Sequence, residues 1–405
     1  MPKKSVFFDL FSGHRGIDLG DFLRTHIEGD DYIVWNGYVI PNDFGDAESE
    51  YHAIRNCCAM FDVTPIRKYR IHGSDAGVFL DHLVTRPVSA SPLMRGIYVA
   101  FCNEEGFLKD DAILYKFAED DYLLMPSEID HAAHFESLRQ KLGLDDVSIE
   151  DRMHSLAGVS LQGPVSATVL HRWGFKGIEQ LEPFEVRDFA LGGGNIRVSR
   201  MGFTADLGYE CWFAPKLYES FQTGLQSVSE SMGIEIPGYG ITAMETCRIE
   251  GGFIVPGWDC ATEKDLSPGF ERTPYELNLG WLVELNQVDF VGRDALRESR
   301  NSGQRFALRG LVIESRTQPD EKATIQATID GETLEIGTMP CISYSWGMER
   351  MIGNGSIQLP YADLKDAWTI IAGERVGVVL NRGTLINLPR RTQLPAPLHE
   401  NLETS

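Results

Sequence analysis

The sequence is short of cysteine, of positive charge and of long apolar runs. Seven cysteines stand in 405 residues, with Cys57-Cys58 the only close pair, no C-x-x-C, and no His/Cys cluster at metal-ligand spacing. That excludes a zinc ribbon and a disulfide framework, and it suits a reducing cytoplasm, which is the location expected. Lys plus Arg number 37 against 59 Asp plus Glu, a net charge of −22. Such a surface repels phosphate backbones and anionic lipid heads, so neither nucleic acid nor a membrane is expected as a partner. A single local arginine still suffices for a small anion. No stretch of 18 apolar residues exists, and the opening MPKKSVFFDLF is soon broken by Ser12-Gly-His-Arg-Gly16, so no membrane span or signal peptide is expected. Ten histidines include no H-x-x-x-H pair, and no Ser/His/Asp or Cys/His triad is supported.

What is present is an ordinary globular composition. Hydrophobic residues are 43% and charged residues 24%, enough to bury a sizeable core. Residues 51–62 carry apolar positions at near-helical spacing. Lys68 to His72 alternates as a strand, and 76–84 fits a helix opened by Ser74 or Asp75. Strands are predicted at 97–102, 112–117 and 121–125, then a helix over 128–142, strands at 156–162, 195–201 and 208–213, and a helix over 215–232. Gly192-Gly-Gly194 is better read as a hairpin turn than as a phosphate cradle. Beyond a polar stretch near Asn301–Gln304, short strands dominate, at 306–314, 324–329, 333–337 and 374–380. The pattern is α+β followed by a small β domain, with no regular βαβ series.

Eight segments, in chain order, resemble the glycine-cleavage T-protein (aminomethyltransferase) superfamily. They are YHAIRNCCAMFDV (51–63), Gly73-Ser-Asp-Ala with Phe79-Leu80, Tyr98…Asn103…Gly106…Asp110-Asp111, and Gln162-Gly-Pro164. Gly202-Phe-Thr204…Gly208-Tyr-Glu210, Arg248-Ile-Glu250, Leu279-Gly-Trp281 and Phe290-Val-Gly-Arg293…Ala295-Leu296 complete the series. Each is weak alone; together they span 51–296. The first 30 residues carry no such match. The resemblance implies a three-domain cloverleaf around a folate-binding channel. Residues 1–300 would form two intertwined ferredoxin-like α+β domains, 305–390 a C-terminal β-barrel, and 391–405 a loose tail.

The resemblance also implies roles for named residues, with tetrahydrofolate as cofactor. Asp110 matches the family's functional aspartate, where a carboxylate can stabilise positive charge or relay a proton; its neighbour Asp111 is the other candidate, and the plain reading is a solvated acidic turn. Glu210 would accept both donors on the pterin edge, as carboxylates do with similar base edges; otherwise it is a strand glutamate paired with a lysine. Arg248 would meet the pterin carbonyl or a carboxylate, or simply pair with Glu245 or Glu250. Tyr98, Phe203 and Trp281 would wall the flat rings, although aromatics are more often core. Tyr38 would touch substrate, or only pack.

Several positions depart from a true T-protein. Phe203 stands where the family has tyrosine, Met244 where it has arginine, and CATEKDLSPGFERTP (260–274) is an added segment. A lipoylated carrier, itself acidic, would dock poorly on a chain of this charge. The expectation is therefore a tetrahydrofolate-dependent demethylase acting on a small S-, O- or N-methylated compound. The alternatives are an aminomethyltransferase of glycine cleavage and a non-catalytic folate-binding protein.

Overall fold

The computed structural model describes residues 2–8, 10, 32–262, 268–286, 289–320 and 323–393. Most of the first 30 residues, and 394–405 of the expected tail, lie outside the described residues.

Strands β1 (Tyr32–Trp35) and β2 (Tyr38–Pro41) form a hairpin, bridged at Tyr38 by Lys3. Helix α1 (Ala47–Asn56) follows, opened by Asp46, whose carboxylate accepts the Ser49 N–H. The helical spacing of 51–62 does not run its full length: the helix stops at Cys57, and β3 (Ala59–Asp62) takes over. Instead of extending that sheet at once, the chain builds another. β4 (Tyr69–His72), α2 (Ala76–Leu83), β5 (Arg95–Cys102), β6 (Leu108–Ala118), β7 (Asp121–Pro126), α3 (Ala132–Leu142) and β8 (Ser148–Asp151) come next. Their strands order as β5-β6-β7-β4-β8, all antiparallel. Helices α2 and α3 cover one face, burying Phe79, Leu80, Phe101, Leu114 and Phe135. Each such side chain taken from water is worth ~1.5–3 kcal/mol.

The chain then returns. β9 (Ala157–Gln162) pairs with β3, and with β10 (Val186–Leu191), β11 (Gly194–Ser199) and β12 (Gly208–Phe213) makes a second antiparallel sheet, β10-β11-β12-β9-β3. Its hairpin turn is the expected one: Gly192 and Gly193 have φ of 53° and 80°, a conformation that suits glycine. Helices α4 (Ser166–Arg172) and α5 (Tyr218–Met232) cover its outer face. The first sheet is thus inserted into the second, which intertwines the two α+β units.

Helix α6 (Ile241–Glu250) packs against α1 on one side and the barrel on the other. After α7 (Arg293–Ser302) comes a closed barrel of β13 (Phe306–Ile313), β14 (Ile325–Ile329), β15 (Glu332–Ser345), β16 (Arg350–Gln358), β17 (Ala367–Ile371) and β18 (Glu374–Asn381). Strands β16 and β17 were not expected from sequence. Gly353 and Gly355 give β16 the look of a loop, yet a Cβ at Gly355 would come 2.7 Å from Leu311. Glycine there lets barrel strands close on each other.

One buried cluster ties the three parts together. Arg55 on α1 donates to Glu250 at 2.6 Å and to Asp206 at 3.3 Å. Arg390, beyond the barrel, donates to both Asp206 oxygens at 2.5 and 2.7 Å. The Tyr51 and Ser345 hydroxyls donate to Glu250 at 2.9 and 2.5 Å. Charges this deep persist only when paired and hydrogen-bonded, so the cluster fixes how the parts sit.

Candidate functional site

Strand alternation decides which side chains can meet. On β12, Tyr209, Cys211 and Phe213 point into the core under α4 and α5, so Glu210 and Trp212 point the opposite way. On β6, Ala112 and Leu114 point into the core under α2 and α3, so Asp111, Ile113 and Tyr115 point the opposite way. These two inner faces pack on each other: Tyr115 meets Trp212 edge-on at 5.2 Å. Asp111 and Glu210 therefore stand on facing sheets.

The acidic pair is divided by that alternation. Sequence matching put Asp110 at the folate, at the end of a hairpin before a strand starting at Ala112. Strand β6 instead begins at Leu108 and carries both carboxylates. Asp110 shares the covered face with Phe101, its cross-strand partner, and is fully buried. The Ser127 hydroxyl donates to its Oδ2 at 2.9 Å, His131 Nε2 lies 2.8 Å from the same oxygen, and the Asp111 N–H donates to Oδ1 at 2.9 Å. Asp111, one residue on, is on the inner face and only partly buried. It accepts the Tyr98 hydroxyl. Burial raises the pKa of both carboxyls, and the neighbouring Asp110 raises that of Asp111 further. A one-residue step along a strand changes faces, so Asp111 stands on the inner face and Asp110 on the face covered by α2 and α3.

Glu210 presents the opposite condition. It is 3% exposed, and its Oε2 has no hydrogen-bond partner. Burial pushes its carboxyl up to about 7, opposed by the charge of Lys68. Lys68 is itself fully buried, pushed down to about 8 by burial, and donates to the carbonyls of Val63, Thr64 and Ile66 at 3.3, 3.1 and 2.8 Å. A buried acceptor left unmade costs about 1–3 kcal/mol. A ligand that donates to Oε2 removes that cost.

The other expected residues fall into three places. Trp281 is 62% exposed and lies 5.9 Å from Tyr98, the ring whose hydroxyl donates to Asp111. Arg248 is fully buried and already engaged. Its Nε and Nη2 donate to Glu245 at 2.7 Å each, and Nη1 to Asp259 at 2.6 Å and the Phe253 carbonyl at 3.0 Å. The helix salt bridge to Glu245 is what the fold shows. Phe203 stacks on Phe253 at 5.2 Å. Tyr38 stands apart, its hydroxyl 2.8 Å from His154 Nδ1. A groove of about 270 Å3 lined by Lys109, His134 and Lys141 opens beside α3, and none of the expected residues lines it.

Sequence reasoning missed Lys68, Ser127, His131 and Asp259. A lysine within an alternating strand pattern was the one available signal for Lys68. The pairing Ala112↔Pro126 is what sets Asp110 beside the chain leaving β7, where Ser127 and His131 follow. Asp259 acts electrostatically on Asp111 and is held by Arg248 and by Asn354 at 2.9 Å.

Three comparisons with known proteins agree in direction. The family model described as the GCVT N-terminal domain matches residues 24–287. An aminomethyltransferase of Clostridium botulinum (strain Okra / Type B1) is 28% identical over 287 residues, 70% of this chain and 75% of that protein. An aminomethyltransferase of Alkaliphilus metalliredigens (strain QYMF) is 28% identical over 366 residues, 89% of this chain and 91% of that one. The crystal structure of glycine cleavage system aminomethyltransferase T from Bartonella henselae superposes with a TM-score of 0.79 at 18% identity, over 98% of this chain and all of that one, a likeness of fold.

Proposed function

The chain belongs to the GCVT family, and from that premise we propose that it is a tetrahydrofolate-dependent one-carbon transferase whose folate lies between the inner faces of the two sheets. The observation that carries this reading is the orphaned Oε2 of Glu210. It is a buried acceptor on the face opposite Asp111, and the pterin edge offers two adjacent donors that fit it. Tetrahydrofolate, when bound, supplies the nucleophilic nitrogen that accepts the carbon unit.

The residues of the chain would divide the remaining work. Glu210 would orient the pterin in its ionised form, which the charge of Lys68 favours and burial opposes. Asp111 would hold positive charge as it develops, or take a proton, with the Tyr98 hydroxyl fixing the carboxylate. Trp281 and Tyr98 would shield that carboxylate from water on the open side. Arg248 would act at one remove, by holding Asp259 and the turn Pro256–Cys260 in place.

Of the two donor classes, the relatives support the aminomethyl one, since each is called an aminomethyltransferase. That favours the reading placed second on sequence grounds. The demethylase reading keeps one support: Met244 stands in place of a family arginine, and the arginine that remains, Arg248, is neutralised by Glu245 and Asp259. A site so acidic suits a free cationic methylated amine. The deciding experiment supplies tetrahydrofolate with either an aminomethylated lipoyl carrier or a panel of small methylated compounds, and follows 5,10-methylene- and 5-methyltetrahydrofolate. Product from the carrier alone supports aminomethyl transfer, and product from a free compound supports demethylation. A chain that does not bind tetrahydrofolate at all would sink both.

A further inference from the structure

Behind Asp111 lies an ionisable pair that the proposed transfer does not use. Asp110 and His131 are 0% and 2% exposed, with Nε2 and Oδ2 2.8 Å apart. The residue is held through its ring and its backbone. Its ring meets Phe101 edge-on at 4.8 Å and lies nearly parallel to Phe135 at 5.7 Å. Its backbone N–H donates to the Tyr69 hydroxyl at 3.1 Å, which donates in turn to Asp130 at 2.9 Å. Among the described residues no lysine or arginine pairs with Asp110, so the imidazole is its counter-group.

A dry site disfavours any net charge. A carboxyl and an imidazole in contact there keep one proton between them: lost, it leaves a bare buried carboxylate, and doubled, a bare imidazolium. Asp110 is joined to Asp111 through the Asp111 N–H, so its charge is felt directly by the inner carboxylate. The other ionisable groups facing this corner are Tyr98 on β5, Glu128 and Asp130 after β7, Tyr69 on β4, His134 on α3, Lys109 on β6, and Asp259 beyond Asp111.

We propose that His131 and Asp110 form a buried acid–base pair that sets the charge felt by Asp111, so that His131 is a positioning residue for transfer without touching substrate. This rests on the reading of Asp111 as the carboxylate that meets folate. With His131 in place the pair is neutral as a unit, and Asp111 ionises against little opposing charge. Without the imidazole no counter-group neutralises Asp110, and the carboxylate it forms opposes the ionisation of Asp111.

The test uses His131→Gln, which keeps an N–H donor and cannot accept a proton. The acid limb of the pH–rate profile should move up by about one unit, a tenfold change in the proton concentration at its midpoint. Asp110→Asn combined with His131→Gln removes the competing carboxyl and should return the limb towards wild type. A merely structural histidine would give no such return. A readout independent of turnover is the imidazole 15N shift of His131, whose protonation midpoint should fall in Asp110→Asn. An unmoved midpoint, or a limb that ignores both substitutions, overturns the pair. Should no donor support turnover, the functional reading fails while the 15N titration still decides the proposal. Should His131→Gln fail to fold, the same titration in Asp110→Asn decides it.

Discussion

The two inner faces of this molecule each carry a carboxylate, and they are finished to different degrees. On β6, Asp111 accepts Tyr98, and Asp110 behind it has every nearby donor engaged: Ser127, His131 and a backbone N–H. On β12, Glu210 has a buried oxygen with no partner, and the charge of Lys68 acts on it through space. A carboxylate surrounded by exchangeable donors is arranged to change charge. One left incomplete in a dry site is arranged to be completed by a ligand. On the proposed reading, the same residue chemistry would serve reaction on one face and recognition on the other.

The contrast breaks most visibly in rate. Asp111→Asn should lower transfer by about 2–4 kcal/mol, on the order of a hundredfold, while tetrahydrofolate still binds, because its charge acts mainly in the transition state. Asp110→Asn should be milder. If single-turnover rates reverse that ranking, the face assignment fails and the original sequence match to Asp110 stands.

Recognition should break separately. Glu210→Gln offers one acceptor and one donor where the ligand presents two donors, so affinity should drop roughly tenfold or more, from a loss of about 1.5–3 kcal/mol. Calorimetric titration showing unchanged affinity would remove Glu210 from the site.

The same residue predicts a pH dependence. Glu210 is raised to about 7 by burial, so at pH 6 most of it is protonated and at pH 8 most is ionised. Only the ionised form accepts two donors, so affinity should climb about tenfold from pH 6 to 8 and then level off. A flat profile would mean that Lys68 already keeps Glu210 ionised throughout.

The smallest expected effect belongs to Tyr98→Phe. It removes one hydrogen bond to Asp111, worth about 1 kcal/mol, and should slow transfer roughly fivefold with binding intact. A larger loss in binding than in rate would place Tyr98 against the folate ring instead.

How much of this could be read from sequence depends on the range of the contacts involved. The turn at Gly192-Gly193 and helix α2 depend on neighbours in the chain, and both were legible. The α+β pattern with a β-rich end was legible for the same reason. The division between Asp110 and Asp111 was not, because it needs the pairing of β6 with β5 and β7, which alternation alone leaves ambiguous. His131 joins the site only because β7 ends at Pro126 and α3 begins at Ala132. Strand β16 was hidden by glycines that the barrel's curvature requires. Arg248 shows how local sequence leaves both readings open: a motif match marks it for a ligand, its spacing to Glu245 marks it for a helix salt bridge, and in the fold Glu245, Asp259 and the Phe253 carbonyl engage it.

The insertion of one sheet into another has a consequence for how the protein is made. Strand β3 must find β9, pairing Ala59 with Gln162, across everything that lies between. During synthesis β3 leaves the ribosome with no partner, and its sheet cannot close until the intervening sheet has been translated. Folding of that intervening sheet draws the two ends together and shortens the loop that β3 and β9 must close. Connectivity therefore predicts an order of assembly: the sheet bearing Asp111 should form first, and the sheet bearing Glu210 should be completed on it. A substitution that slows the first sheet, far from β3 in sequence, should prolong the exposure of β3 as an unpaired edge, the state in which such strands aggregate.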